Sequence, residues 1–122
     1  MSYAGNRVIY DADGHIMELP THLREFADPD VRELIPLTSY SASSVTEEEV
    51  AVLVAQGGRH SDDHIDRFLS LGDGLIAESK EIQALGAFDG SHRSQALDML
   101  GFKKQIIFST LSAKAPFSAT LE

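Results

Sequence analysis

Four side chains able to hold a metal fall within eight positions near the start of the chain: Asp11, Asp13, His15 and Glu18. One imidazole with two or three carboxylates suits zinc, with manganese and iron(II) as alternatives, at a site where an open position lets bound water become a nucleophile. Along an extended strand Asp11, Asp13 and His15 are two apart and project to one side. Asp13 and His15 can then meet one cation, and Glu18 lies just past the strand end and can return to it. Further ligands must come from elsewhere. A plainer reading covers the same residues, since Asp-Ala-Asp-Gly is a good turn sequence and Gly14 accepts positive φ. An EF-hand fails on spacing, because taking Gly14 as loop position six puts Ile9 at the first carboxylate position.

The elements that must carry these groups follow from the patterning. Val8, Ile9 and Tyr10 lie in a β-favouring run, so a first strand is expected over about 7–12, behind a loose tail at residues 1–6. Pro20, Pro29 and Pro36 break the next stretch into short pieces. Thr21 is a candidate N-cap for one turn of helix, and a second short helix is expected at Val31–Ile35. The helical region spans about 46–100. Thr46 with Glu49 makes a capping box, and Gly57-Gly58 stops that helix. Val50, Val52, Leu53 and Val54 supply its apolar side. A helix from Asp62 to about Leu71 presents Ile65, Phe68 and Leu69; Leu75–Leu85 is a weaker helical window. Ser91–Leu100 is a stronger helix, with Ala96, Met99 and Leu100 as its buried stripe. A second, buried strand is expected over about 104–110, centred on Ile106, Ile107 and Phe108. From Ala113 onward the sequence is small, polar and weakly patterned. A strand at each end with helices between is a β-α-β order, which favours two parallel strands in an α/β fold.

Composition narrows the chemistry. The 122 residues suit a single domain, 1–122, with 43% apolar and 24% charged residues. A net charge of −9 argues against binding a phosphate backbone, so nucleic acid is not an expected partner. The absence of cysteine excludes disulfides, thiolate nucleophiles and zinc–sulfur sites. Apolar runs are too short for a membrane span, and Met1–Arg7 lacks the apolar centre of a secretory signal, leaving a cytoplasmic location as the default.

Other candidate groups have simpler readings. His60 and His64 are four apart, but Gly57-Gly58 precedes them and Asp62 is a natural N-cap, which favours a solvated helix start. His92 and Arg93 read as surface groups, Arg93 pairing with Asp89 or Asp98. His22 reads as packing beside the Pro20 turn, and Glu47–Glu49 as a helix N-terminus. No Ser-His-Asp set or phosphate loop can be assembled.

The segment Tyr10–Pro20 resembles the first-strand motif of the amidohydrolase-related metal-dependent hydrolases, the group that includes aminocarboxymuconate semialdehyde decarboxylase. One branch begins Asp-x-Asp-x-His-x-x-Glu-Pro-Pro. Here Asp13, His15 and Glu18 are kept, Asp13 stands where the wider superfamily has His, and Leu19-Pro20 replaces the Pro pair. Gly86-Ala-Phe-Asp89, Arg93, Asp98-Met99, Gly101 and Ile106–Thr110 are similar to the segment leading into the second strand of that family. The resemblance implies the N-terminal part of a (β/α)8 TIM-barrel-like fold, with a divalent metal held by Asp13, His15 and Glu18 at the strand ends. It implies hydrolysis or decarboxylation of a small acidic or aromatic substrate, with Thr110 lining the same mouth. Such barrels run to about 250 residues. The expectation is therefore an N-terminal fragment with little catalysis alone, completed by a partner chain or by homo-oligomerisation. The alternative is a non-catalytic assembly module that pairs through its strand edges and amphipathic helices.

Overall fold

A computed structural model describes residues 1–78 and 81–114. The chain is mixed α/β. Strand β1 (Ile9–Ile16) pairs in parallel with β2 (Phe102–Ser109), and α1 (His22–Glu25), α2 (Glu47–Ala55), α3 (Asp62–Leu69) and α4 (Gly90–Leu100) come between them in sequence. This is the β-α-β order expected from the patterning.

The expected end of β1 at residue 12 is corrected: the strand continues through Asp-Ala-Asp-Gly to Ile16. The turn-forming bond is present, with the Asp13 N–H donating to Asp11 Oδ1 at 2.9 Å, but it makes a bulge and not an exit. Asp11 faces Gln105 and Gly14 faces Ile107, so three steps on β1 match two on β2. Gly14 does not use positive φ. A Cβ there would run into the Gln105 side chain, which crosses the strand at that point and would have to shift.

The helices follow their caps. Thr46 and Glu49 form the capping box at α2, whose inward face is Val50 and Leu53 alone; Val52 and Val54 are exposed. Ser61, not Asp62, caps α3 by accepting from His64 N–H. Asp89 caps α4 through the N–H groups of Ser91 and His92, and Gly101 ends it at φ 76°. Two 3₁₀ segments, Gly72–Ala77 and Glu81–Gln83, replace the helical window expected over Leu75–Leu85, and a 3₁₀ turn at Arg32–Leu34 replaces the second short helix. The N-terminal tail is tied down, because Ala4 is buried and its N–H donates to Leu100 O at 2.8 Å. The weakly patterned tail beyond Lys114 lies outside the described residues.

Two apolar clusters form the core. Met17, Tyr40, Val45, Val50, Leu53, Ile82 and Ala87 make one; Ile65, Phe68, Leu85 and Ala96 make the other. The sheet itself is not enclosed. Ile106, Ile107 and Phe108 are 58%, 46% and 48% exposed, which corrects the expectation of a buried second strand. Successive side chains on a strand point to opposite faces, so exposure of three in a row means that both faces of β2 are open there.

Candidate functional site

At the C-terminal ends of the two parallel strands, the backbone extension of β1 places Asp13 and His15 on one side. Asp13 Oδ1 lies 3.3 Å from His15 Nε2, with side chains 93% and 51% exposed respectively. On the other side of the ring, His15 Nδ1 is 3.3 Å from Thr110 Oγ1, just beyond β2. His15 also packs against Phe108, ring centroids 6.0 Å apart. Asp13, His15 and Thr110 thus form a row.

Asp11 does not join them. Its carboxylate accepts from Gln105 Nε2 and from the Asp13 N–H, and these bonds, the Gln105 one first, hold its pKa below the usual carboxylate range. Glu18 does not face the row either. It is 1% exposed, and its two oxygens accept from the N–H groups of Thr110 at 3.1 Å, Leu111 at 2.9 Å and Ser112 at 3.4 Å, and from Ser112 Oγ at 2.8 Å. Burial alone would raise its pKa. The donors, with the Ser109 hydroxyl the largest contributor among them, outweigh burial and bring it to about 2. A carboxylate at the end of β1 is therefore bound in a cage of backbone donors following β2. The Tyr40 hydroxyl donates to the Glu18 carbonyl, and burial followed by the Glu18 charge pushes the phenol up to about 12.

Arg93 does not sit where its sequence neighbours suggest. It pairs with neither Asp89 nor Asp98; its two terminal nitrogens donate to the His15 carbonyl, and Nε donates to Gly86 O at 3.2 Å. Burial lowers its pKa, opposed by the charge of Asp11. Gln105, bridging toward Asp11 and Arg93, was not anticipated, and no local pattern marks it. Its only sequence trace is the glycine at position 14 that makes room for it.

The His60–His64 pair is not a solvated helix start. His60 is buried, the two rings stack with centroids 4.3 Å apart, and their Nε2 atoms meet the carbonyls of Ile82 at 2.8 Å and Gln83 at 2.9 Å. The buried His60 and the half-buried His64 together pin the 3₁₀ segment Glu81–Gln83. His22 packs edge-on against Phe26.

No protein-family model, curated protein or solved structure matches this chain. Its chemistry must be read from its own geometry. A cleft of about 370 Å³ adjoins His15, Thr110 and Arg93 and is walled by Met17, Leu85 and Ala87. Two ligands at about 2.0–2.2 Å from a tetrahedral ion lie about 3.3–3.6 Å from each other; the direct Asp13–His15 contact, at 3.3 Å, falls at the short end of that range. Among the described residues no cluster of three His, Asp or Glu side chains converges as a metal cage. Asp13 and His15 bring two potential donor atoms together. No helix among the described residues is long and apolar enough to cross a membrane.

Proposed function

We propose that this chain supplies the first two strands, and the first half of the metal site, of an amidohydrolase-like, metal-dependent hydrolase or decarboxylase with a (β/α)8 TIM-barrel-like architecture. The observation that carries this reading is the convergence of Asp13 Oδ1 and His15 Nε2 at 3.3 Å, at the C-terminal ends of parallel strands. That is the face on which barrel enzymes place their catalytic groups.

In this reading Asp13 and His15 hold a divalent metal, zinc by ligand preference, with manganese or iron(II) also compatible. The metal would supply Lewis-acid polarisation of a carbonyl or carboxylate and acidify water for attack. The chain's own contribution is positional. Arg93 fixes the His15 backbone, Thr110 faces the ring and lines the substrate cleft, and Glu18, anchored behind the row, joins the ligand set only by leaving its donors. Turnover by this chain alone is low, because an imidazole and one carboxylate leave the coordination sphere incomplete. The remaining ligands come from further chain, a second copy or a partner.

The open sheet supports a second reading, a non-catalytic assembly module. Ile106, Ile107 and Phe108 are exposed, and among the described residues each strand of this two-stranded sheet has one outer edge not paired. Elemental analysis after exposure to zinc distinguishes the readings. The metal reading expects stoichiometric zinc that falls to trace level in His15→Ala. Trace metal in both proteins, with association in sedimentation experiments, supports assembly instead.

A further inference from the structure

The contacts around His15 assign roles to Glu18 and Thr110 that residue spacing does not suggest. We infer that they are positioning residues for His15. Glu18 cages the segment 110–112, which places the Thr110 hydroxyl against Nδ1 and so turns Nε2 toward Asp13. This rests on the metal-site reading above and deepens it.

Three observations carry the inference. First, Glu18 has no freedom to act as an exposed ligand without abandoning the N–H groups of Thr110, Leu111 and Ser112 and the Ser112 hydroxyl. A carboxylate that is 1% exposed holds those donors at fixed positions relative to the end of β1. Second, the first residue so held is Thr110, whose Oγ1 is 3.3 Å from His15 Nδ1. Third, the opposite ring nitrogen is the one that meets Asp13, at 3.3 Å. An imidazole has two nitrogens, and a partner on one decides how the other is presented. A hydroxyl suits this role because it can donate to a bare nitrogen or accept from an N–H, so it holds the ring with or without a cation at Nε2. Arg93 fixes the His15 backbone, but it does not set the ring.

The test uses the whole chain, with Thr110→Val, Thr110→Ser and Glu18→Gln variants. Zinc binding is followed by calorimetry with zinc chloride, and the His15 ring nitrogens by ¹⁵N NMR without metal. Thr110→Val is expected to move the Nδ1 resonance and weaken zinc binding roughly 10–100-fold, the range for loss of a group that orients a histidine ligand. Thr110→Ser keeps the hydroxyl and restores both. Glu18→Gln moves the same resonance without touching the ring. His15 resonances and zinc affinity unchanged in folded Thr110→Val would overturn the positioning role, whatever happens to Glu18→Gln. If wild-type protein binds no zinc but Thr110→Val still shifts Nδ1 and Thr110→Ser restores it, positioning stands and the metal reading falls.

Discussion

Glu18→Gln is the substitution that bears most directly on how the strand ends are joined. In the folded chain the carboxylate sits near pKa 2 against an ordinary value of 4.5. A depression of about 2.5 units corresponds to about 3 kcal/mol of folding stability. The sign follows from linkage. The unfolded chain takes up a proton at Glu18 first as pH falls, so this contribution is complete above about pH 5 and is lost progressively toward pH 2. Glutamine keeps the size of the side chain but removes the charge, and its amide nitrogen must face donors that formerly met oxygen. The assay is urea unfolding followed by circular dichroism at pH 7, 5, 4, 3 and 2.5 for both proteins. At pH 7 the variant should be about 3 kcal/mol less stable, with the gap closing as acid protonates Glu18 in the wild type. The other carboxylates act in both proteins and cancel in the difference. A gap below about 0.5 kcal/mol at pH 7, or one that stays constant to pH 2.5, would refute the charged cage.

Three further outcomes test the surrounding packing. Burial lowers the pKa of His60, so its contribution is present above about pH 6.5 and is lost as pH falls through that value and the lower folded one; His60→Gln, which keeps a donor for Ile82 O, should lose less stability between pH 7 and 5 in thermal melts, and equal losses would contradict this. Arg93→Met removes charged donors from the carbonyls of His15 and Gly86 and should cost roughly 2 kcal/mol in urea unfolding, with Arg93→Lys recovering only part. Phe68, with no exposed surface, should cost about 4 kcal/mol as Phe68→Ala, whereas Ile106→Thr should stay within about 0.5 kcal/mol. A large cost at Ile106 in sedimentation-verified monomer would contradict an open β2.

What the sequence makes legible here is local. The capping box at Thr46, the glycine stop at Gly101 and the β-favouring run before Asp11 depend on residues within a few positions of one another, and each forms the expected element. The extension of β1 through Asp-Ala-Asp-Gly was not legible, because turn chemistry and a bulge use the same bond, Asp13 N–H to Asp11 Oδ1. The choice between them falls to β2, whose pairing reaches Gly14, His15 and Ile16 from more than ninety positions away. His60 was misread for a similar reason: its burial comes from the Ile82 segment and Phe88, neither of which its own neighbours reveal.

The same distinction separates the acidic groups of the candidate site. Asp13 and Glu18 carry the same charge, five positions apart, and the spacing offers both as ligands. Their surroundings divide them: Asp13 is exposed beside an imidazole, while Glu18 is enclosed by donors from residues 109–112. A carboxylate can be buried as an anion only where donors replace its water. Once that requirement is met by backbone N–H groups, those donors become fixed by the carboxylate in turn. The position of Thr110 is therefore part of what burial of Glu18 determines, and the ring that Thr110 meets is the one facing Asp13.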